Sequence, residues 1–120
     1  MEKFGFLKWP VYQESRELSL VILRIVKELP QEYRFILGNQ LIRSAFSITL
    51  NIAEGSGRSS HKEFCRFIDI AQGSLYETLA GVDIFRYNKL ITEQEFAGIV
   101  EQLNSVSRQM GGLKKRAKSL

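Results

Sequence analysis

The chain of 120 residues contains one cysteine, one histidine, one tryptophan and two prolines, and each shortage closes off a class of protein. A lone Cys65 forms no internal disulfide, so the simplest setting is a reducing one. With His61 as the only histidine and no second cysteine at ligand spacing, a structural metal site lacks its ligand set, and no cofactor is expected. Pro10 and Pro30 leave nearly all of the chain free for long helices. No run approaches the roughly 20 apolar residues that span a bilayer, so no membrane partner is expected. The opening Met1-Glu2-Lys3-Phe4-Gly5 lacks the apolar core of a signal peptide, and the expected location is the cytoplasm.

What is present is ordinary globular material, 44% hydrophobic and 25% charged. The length suits one domain over 1–120 that closes its own core. Apolar residues recur at helical spacing in four segments, at about 10–29, 35–54, 60–88 and 92–112. Pro10 suits a first helical turn, and Val11, Leu18, Ile22, Ile25 and Leu29 follow on one face. Gly55 and Gly57 suit a left-handed cap at the end of the second segment. Ser60-His61-Lys62-Glu63 and Thr92-Glu93-Gln94-Glu95 read as capping boxes opening the third and fourth. Phe64, Phe67, Ile68, Ala71, Leu75, Thr78 and Val82 form one apolar stripe. Phe96, Ile99, Val100, Leu103, Val106 and Met110 form the other, with Gly111-Gly112 expected to end that helix. Short connections between helices of this length predict an all-α, up-down-up-down four-helix bundle.

The second segment says most about function. Gln40, Arg43, Ser44, Ser47, Asn51 and Glu54 fall within one arc of about 100°, while the rest of the circumference is apolar. A helix apolar around so much of its surface has more than one neighbour, either within the bundle or in another subunit. The arc is either a solvated face or a specific hydrogen-bonding surface. Its short serines and asparagine between one arginine and one glutamate differ from the Lys/Glu pattern of wet helices. On the third segment, Ile70, Gly73, Ala80, Gly81 and Ile84 surround Glu77 opposite the core stripe. Interior glycines cost a helix about 1 kcal/mol each and suit a close approach by another element. These features lead us to expect Arg43 partly buried and paired with Glu77 or Glu54, and Asn51 bonded across a helix contact within or between subunits.

Net charge is +4. Lys114, Lys115, Arg116 and Lys118 form a basic tail from about residue 113, and Arg58, Lys62 and Arg66 form a ridge at four-residue spacing. Both are candidate contacts to RNA or DNA phosphates, and both are also readable as solvated surface, the ridge more readily than the tail. No recognition-helix or RNA-reading motif is present, so sequence-specific readout is not expected. Neither His61 nor Cys65 has the partner residues of a nucleophile or a general base, so no catalytic residues are expected.

The stretch from Gln40 to Gly55, read as Q-x-x-R-x-x-x-S-I-x-x-N-I-A-E-G, resembles the signature of the bacterial four-helix-bundle proteins named after ribosomal-RNA intervening sequences. Arg58-Ser59-Ser60, Glu63-Phe64, Phe67, Ala71 and Gly73-Ser74-Leu75-Tyr76-Glu77 continue it, and Tyr12 stands where the family usually carries tryptophan. The resemblance covers about residues 4–115. It implies a four-helix bundle that assembles as a homo-oligomer, with ring-shaped pentamers as the associated form. It implies no catalytic activity. Some members are encoded inside insertions in ribosomal-RNA genes, and distant relatives are basic accessory proteins of retroelements that bind nucleic acid and a partner protein. The expected role is a non-enzymatic, nucleic-acid-associated accessory oligomer; the alternative is a structural or protein-binding scaffold with no nucleic-acid role.

Overall fold

The computed structural model describes residues 3–118, with the side chain of Lys118 outside the described set. Four long helices account for most of it: α1 (Pro10–Lys27), α2 (Asn39–Ser56), α3 (His61–Tyr87) and α4 (Glu93–Lys118). No strand occurs among the described residues. Each helix packs on the one before and the one after, and α4 closes back on α1, giving an up-down-up-down bundle 47 × 22 × 21 Å in extent.

The apolar stripes meet in one core. Val11, Leu18, Ile22, Ile25 and Leu29 are buried from the first segment, and Leu41, Ala45, Ile48 and Ile52 from the second. Ile68, Ala71, Leu75, Thr78, Val82 and Phe85 come from α3, and Ile99, Leu103, Val106 and Met110 from α4. Local chemistry sets the starts. Pro10 is the first residue of α1. Ser60 accepts from the Glu63 amide at 3.2 Å. At Thr92 both halves of the capping box form: the Thr92 amide donates to Glu95 Oε1 at 2.8 Å, and the Glu95 amide donates to Thr92 Oγ1 at 3.0 Å.

Three local expectations are corrected. The chain from Gln31 to Gly38 is already helical, a single α turn (Gln31–Tyr33) followed by a π-helical turn (Arg34–Gly38), rather than entering a helix at Phe35. At Gly38, the last residue of that turn, an added Cβ would come within 2.6 Å of Val26 Cγ1, so the backbone lies almost on α1 there. The glycines after α2 make no left-handed cap. Gly57 ends the helix at φ −89°, and Gly55 is buried where a Cβ would come within 3.0 Å of Phe67 Cβ. The left-handed residue among those described is Lys89, at φ 61°, in the turn before α4. Finally, Gly111-Gly112 do not end α4, which continues to Lys118, so the basic tail is helical. Two glycines cost about 1 kcal/mol each, and the packing of Met110, Leu113 and Ala117 against the bundle offsets that cost.

Substitutions separate these glycines. Gly38→Ala should destabilise the protein by about 1–3 kcal/mol through overpacking against Val26. Gly98→Ala, on an exposed side of α4 with no atom within 4 Å of the new Cβ, should stabilise it by about 0.5–1 kcal/mol. Urea unfolding of the two variants checks both signs.

Candidate functional site

The polar arc of α2 lies along the seam with α3. Thr78 Oγ1 donates to Ser44 Oγ at 2.9 Å, and Ser44 in turn donates to the Leu41 carbonyl at 3.0 Å. One turn along, Ser74 Oγ donates to Ser47 Oγ at 2.7 Å. Ser44 and Thr78 are buried. Short side chains let the two helices approach closely, and Gly81 continues the approach: a Cβ there would meet Leu41 Cδ1 at 2.8 Å. The other seams carry polar ties as well. Thr49 Oγ1 donates to Ser15 Oγ at 3.0 Å between α2 and α1. Gln72 and Ser107 exchange two bonds between α3 and α4, and Ser105 and Gln109 of α4 both donate to Glu14 of α1 at 2.6 Å.

This arrangement corrects the expected pairing of Arg43. Arg43 is exposed, and among the described residues neither Glu77 nor Glu54 pairs with it. Glu54 pairs instead with Arg58 at 2.8 Å, one turn further on. The hydroxyl pairs close the seam, so Arg43 stays on its outer flank and Glu77 is exposed on α3. Asn51 does not cross the seam either. Its amide donates to the Ser47 carbonyl and hydroxyl, at 2.8 and 3.0 Å, and Ser47 carries the contact to α3. Gln40 is exposed at the start of the same flank. Gly73 is open, with no atom within 4 Å of where a Cβ would stand.

The two basic groups, distant in sequence, come to one end of the bundle because α3 begins where the antiparallel α4 finishes. Arg58 and Arg116 line a single cavity there with Arg108, a residue that the charge pattern along the chain did not single out. Arg58 and Arg66 both stack on the Phe67 ring, at 4.6 and 5.2 Å, and Lys62 is exposed beside them. On α4, Lys115 and Arg116 are exposed, whereas Lys114 is half-buried and bonded to Asp69. That hydrogen bond raises the Lys114 pKa above its ordinary value. The Lys118 side chain lies outside the described residues. No cluster of three or more metal-ligating side chains occurs among the described residues, and no described helix is long and apolar enough to cross a membrane.

A closed ring of four antiparallel helices with hydroxyl-tied seams and one basic end defines a small four-helix-bundle protein. The profile of the 23S rRNA-intervening sequence protein family matches residues 8–112, and the chain belongs to that family. A solved structure of similar fold is a protein of unknown function from the S23 ribosomal protein family of Bacteroides thetaiotaomicron VPI-5482. It is 23% identical, with a TM-score of 0.80, and the match covers 88% of this chain and 98% of that one. No curated protein matches the chain.

The buried hydroxyls provide a stability test. Thr78→Val and Thr49→Val keep side-chain shape but remove one cross-helix hydrogen bond each. Each should cost about 1 kcal/mol in urea unfolding. A parent-like midpoint for both would show that packing alone holds the seams.

Proposed function

We propose that this protein is a non-catalytic homo-oligomer that associates with RNA or DNA through phosphate contacts. The observation that supports it is the gathering of Arg58, Lys62, Arg66, Arg108, Lys115 and Arg116 at one end of the bundle from two stretches about forty residues or more apart. The carboxylates nearby weaken this charge little. Glu54 and Asp69 hold Arg58 and Lys114 in ion pairs with substantial exposure, and such pairs are worth about 0–1 kcal/mol and exchange readily. Several copies bound together multiply the basic end into a stronger field for a polyanion.

Self-association has its own support. Apolar side chains stay in water on the outer side of α2 and α3: Leu50 is 63% exposed and Ile84 51%, with Ile70 at 42%. Phe35 and Ile36 of the π-helical turn are exposed at 71% and 76%. Exposed apolar side chains in this number along one helix pair suit contact with another protein surface. Arg43 and Glu77, unpaired with each other in the single chain, are available to pair between copies on that side. A pentameric ring, the form associated with similar bundles, is the expected stoichiometry. A scaffold for a partner protein is the second reading, and it rests on the same exposed apolar residues.

Two measurements test the proposal. Electrophoretic shifts with generic RNA and DNA across a salt series should show affinity falling steeply with salt. Replacing Lys114, Lys115, Arg116 and Lys118 by alanine should flatten the log–log salt slope by roughly 2–3, with little change in melting temperature. Absence of any shift at low salt would leave the scaffold reading. In sedimentation, the parent should run as an oligomer, and Leu50→Asp with Ile84→Asp should run as a folded monomer. A monomeric parent would remove the assembly claim.

A further inference from the structure

The basic end also contains an open cavity of about 950 Å³, lined by the start of α1, the α2–α3 turn and the last turns of α4. That volume lies in the range of small-molecule sites. Its wall combines two chemistries. Trp9 and Phe64 supply aromatic surface, meeting edge to face with ring centroids 6.3 Å apart. Arg58, Arg108 and Arg116 supply positive charge, and no aspartate or glutamate lines the cavity. Three other clefts on the described surface mix their signs. Arg24 stands with Glu28 and Glu95 in one, Arg16 with Glu14 and Glu17 in another, and Lys62 and Arg66 with Glu63 and Asp69 in the third.

An apolar ligand has no use for three guanidinium groups, and an inorganic anion has no use for two aromatic rings. A flat aromatic ring carrying a phosphate uses both. We propose that this cavity binds a nucleoside phosphate, with the base against Trp9 and Phe64 and the phosphate held by Arg58 and Arg108. Arginine suits the role because its planar fork meets phosphate oxygens two at a time. Arg58 is already oriented, stacked on Phe67 at 4.6 Å and bonded to Glu54 at 2.8 Å, an exposed pair that a phosphate can displace. Arg108 is exposed on the adjacent helix and takes part in none of the described ion pairs.

The inference rests on the nucleic-acid reading above and deepens it: the unit gripped is an unpaired nucleotide, because only an unstacked base offers its faces to side chains. The same chemistry can come from a single strand or from a free mononucleotide, and the experiment separates the two.

Trp9 is the only tryptophan of the chain, so intrinsic fluorescence reports on this cavity. The full-length protein is titrated with adenosine monophosphate, adenosine, inorganic phosphate, a ten-nucleotide single-stranded RNA, and the duplex of that RNA. Adenosine monophosphate and the single strand should change Trp9 emission saturably. Adenosine, phosphate and the duplex should act at least about tenfold more weakly, since each lacks one half of the recognition. With a fluorescein-labelled strand, Trp9→Ala and Arg108→Glu should each weaken binding by about tenfold. Because Trp9→Ala also removes packing against Phe64, the exposed Arg108→Glu is the deciding variant. A strand that binds without altering Trp9 emission, and binds Arg108→Glu as tightly as the parent, overturns the cavity site and leaves the general phosphate reading standing. Binding of adenosine monophosphate without any strand keeps the site and removes the nucleic-acid reading. Binding of neither removes both.

Discussion

The hydroxyl pairs between α2 and α3 are the contact from which the remaining geometry follows. Ser44 with Thr78 and Ser47 with Ser74 place two O–H···O hydrogen bonds one turn apart, which fit one register and one separation of the two helices. A slip in register would lose these cross-helix bonds, at about 1 kcal/mol each, although Ser44 and Thr78 would keep acceptors on their own helices in the Leu41 and Ser74 carbonyls. Gly81 and Gly55 extend the close approach in either direction, against Leu41 and Phe67. The other three seams carry their own polar ties, so that each helix pair in the ring is held by directional bonds as well as by apolar contact.

A seam closed by short side chains leaves longer ones outside. Arg43, Glu77 and Leu50 remain exposed for that reason, and α2 and α3 present an outward side that is part apolar and part charged. The register also decides what happens at the end of the bundle. With α3 starting beside the finish of α4, the Arg58–Arg66 turns and the Arg108–Arg116 turns share one rim, and the start of α1 brings Trp9 to it. The two surfaces adjoin at the start of α3, where Ile70 of the outward side shares a cleft with Lys62 and Arg66.

The continuation of α4 through Gly111-Gly112 fixes where its cations stand. A disordered tail would present its cations with no fixed spacing. In the helix, Arg108, Gly112 and Arg116 recur on one face, and that face lines the cavity. The absence of a side chain at Gly112 leaves room for the Arg116 guanidinium, which comes within 3.4 Å of where a Cβ would stand.

Helix number, order and core composition were legible in the residues, because hydrophobic periodicity and capping chemistry are local properties that need no partner to be read. Ile22, Ile48, Ile68 and Leu103 announce a core at any register. The polar arc of α2 was legible as unusual for the same reason. Its partners were not: which residue of α3 faces Ser47 depends on how two helices slide past each other, and a single helix carries no record of that offset. So the arc predicted a partly buried, carboxylate-paired arginine where the tertiary structure placed hydroxyl pairs and left Arg43 outside. The glycines followed suit, since whether Gly38, Gly55 or Gly112 caps a helix, ends it or admits a neighbour is decided by an atom that comes from elsewhere in the chain. The basic residues were visible as two separate groups, but Arg108 and Trp9 joined them only through the antiparallel closure of α4 on α1 and α3, because proximity across a bundle is a property of packing and not of spacing along the chain.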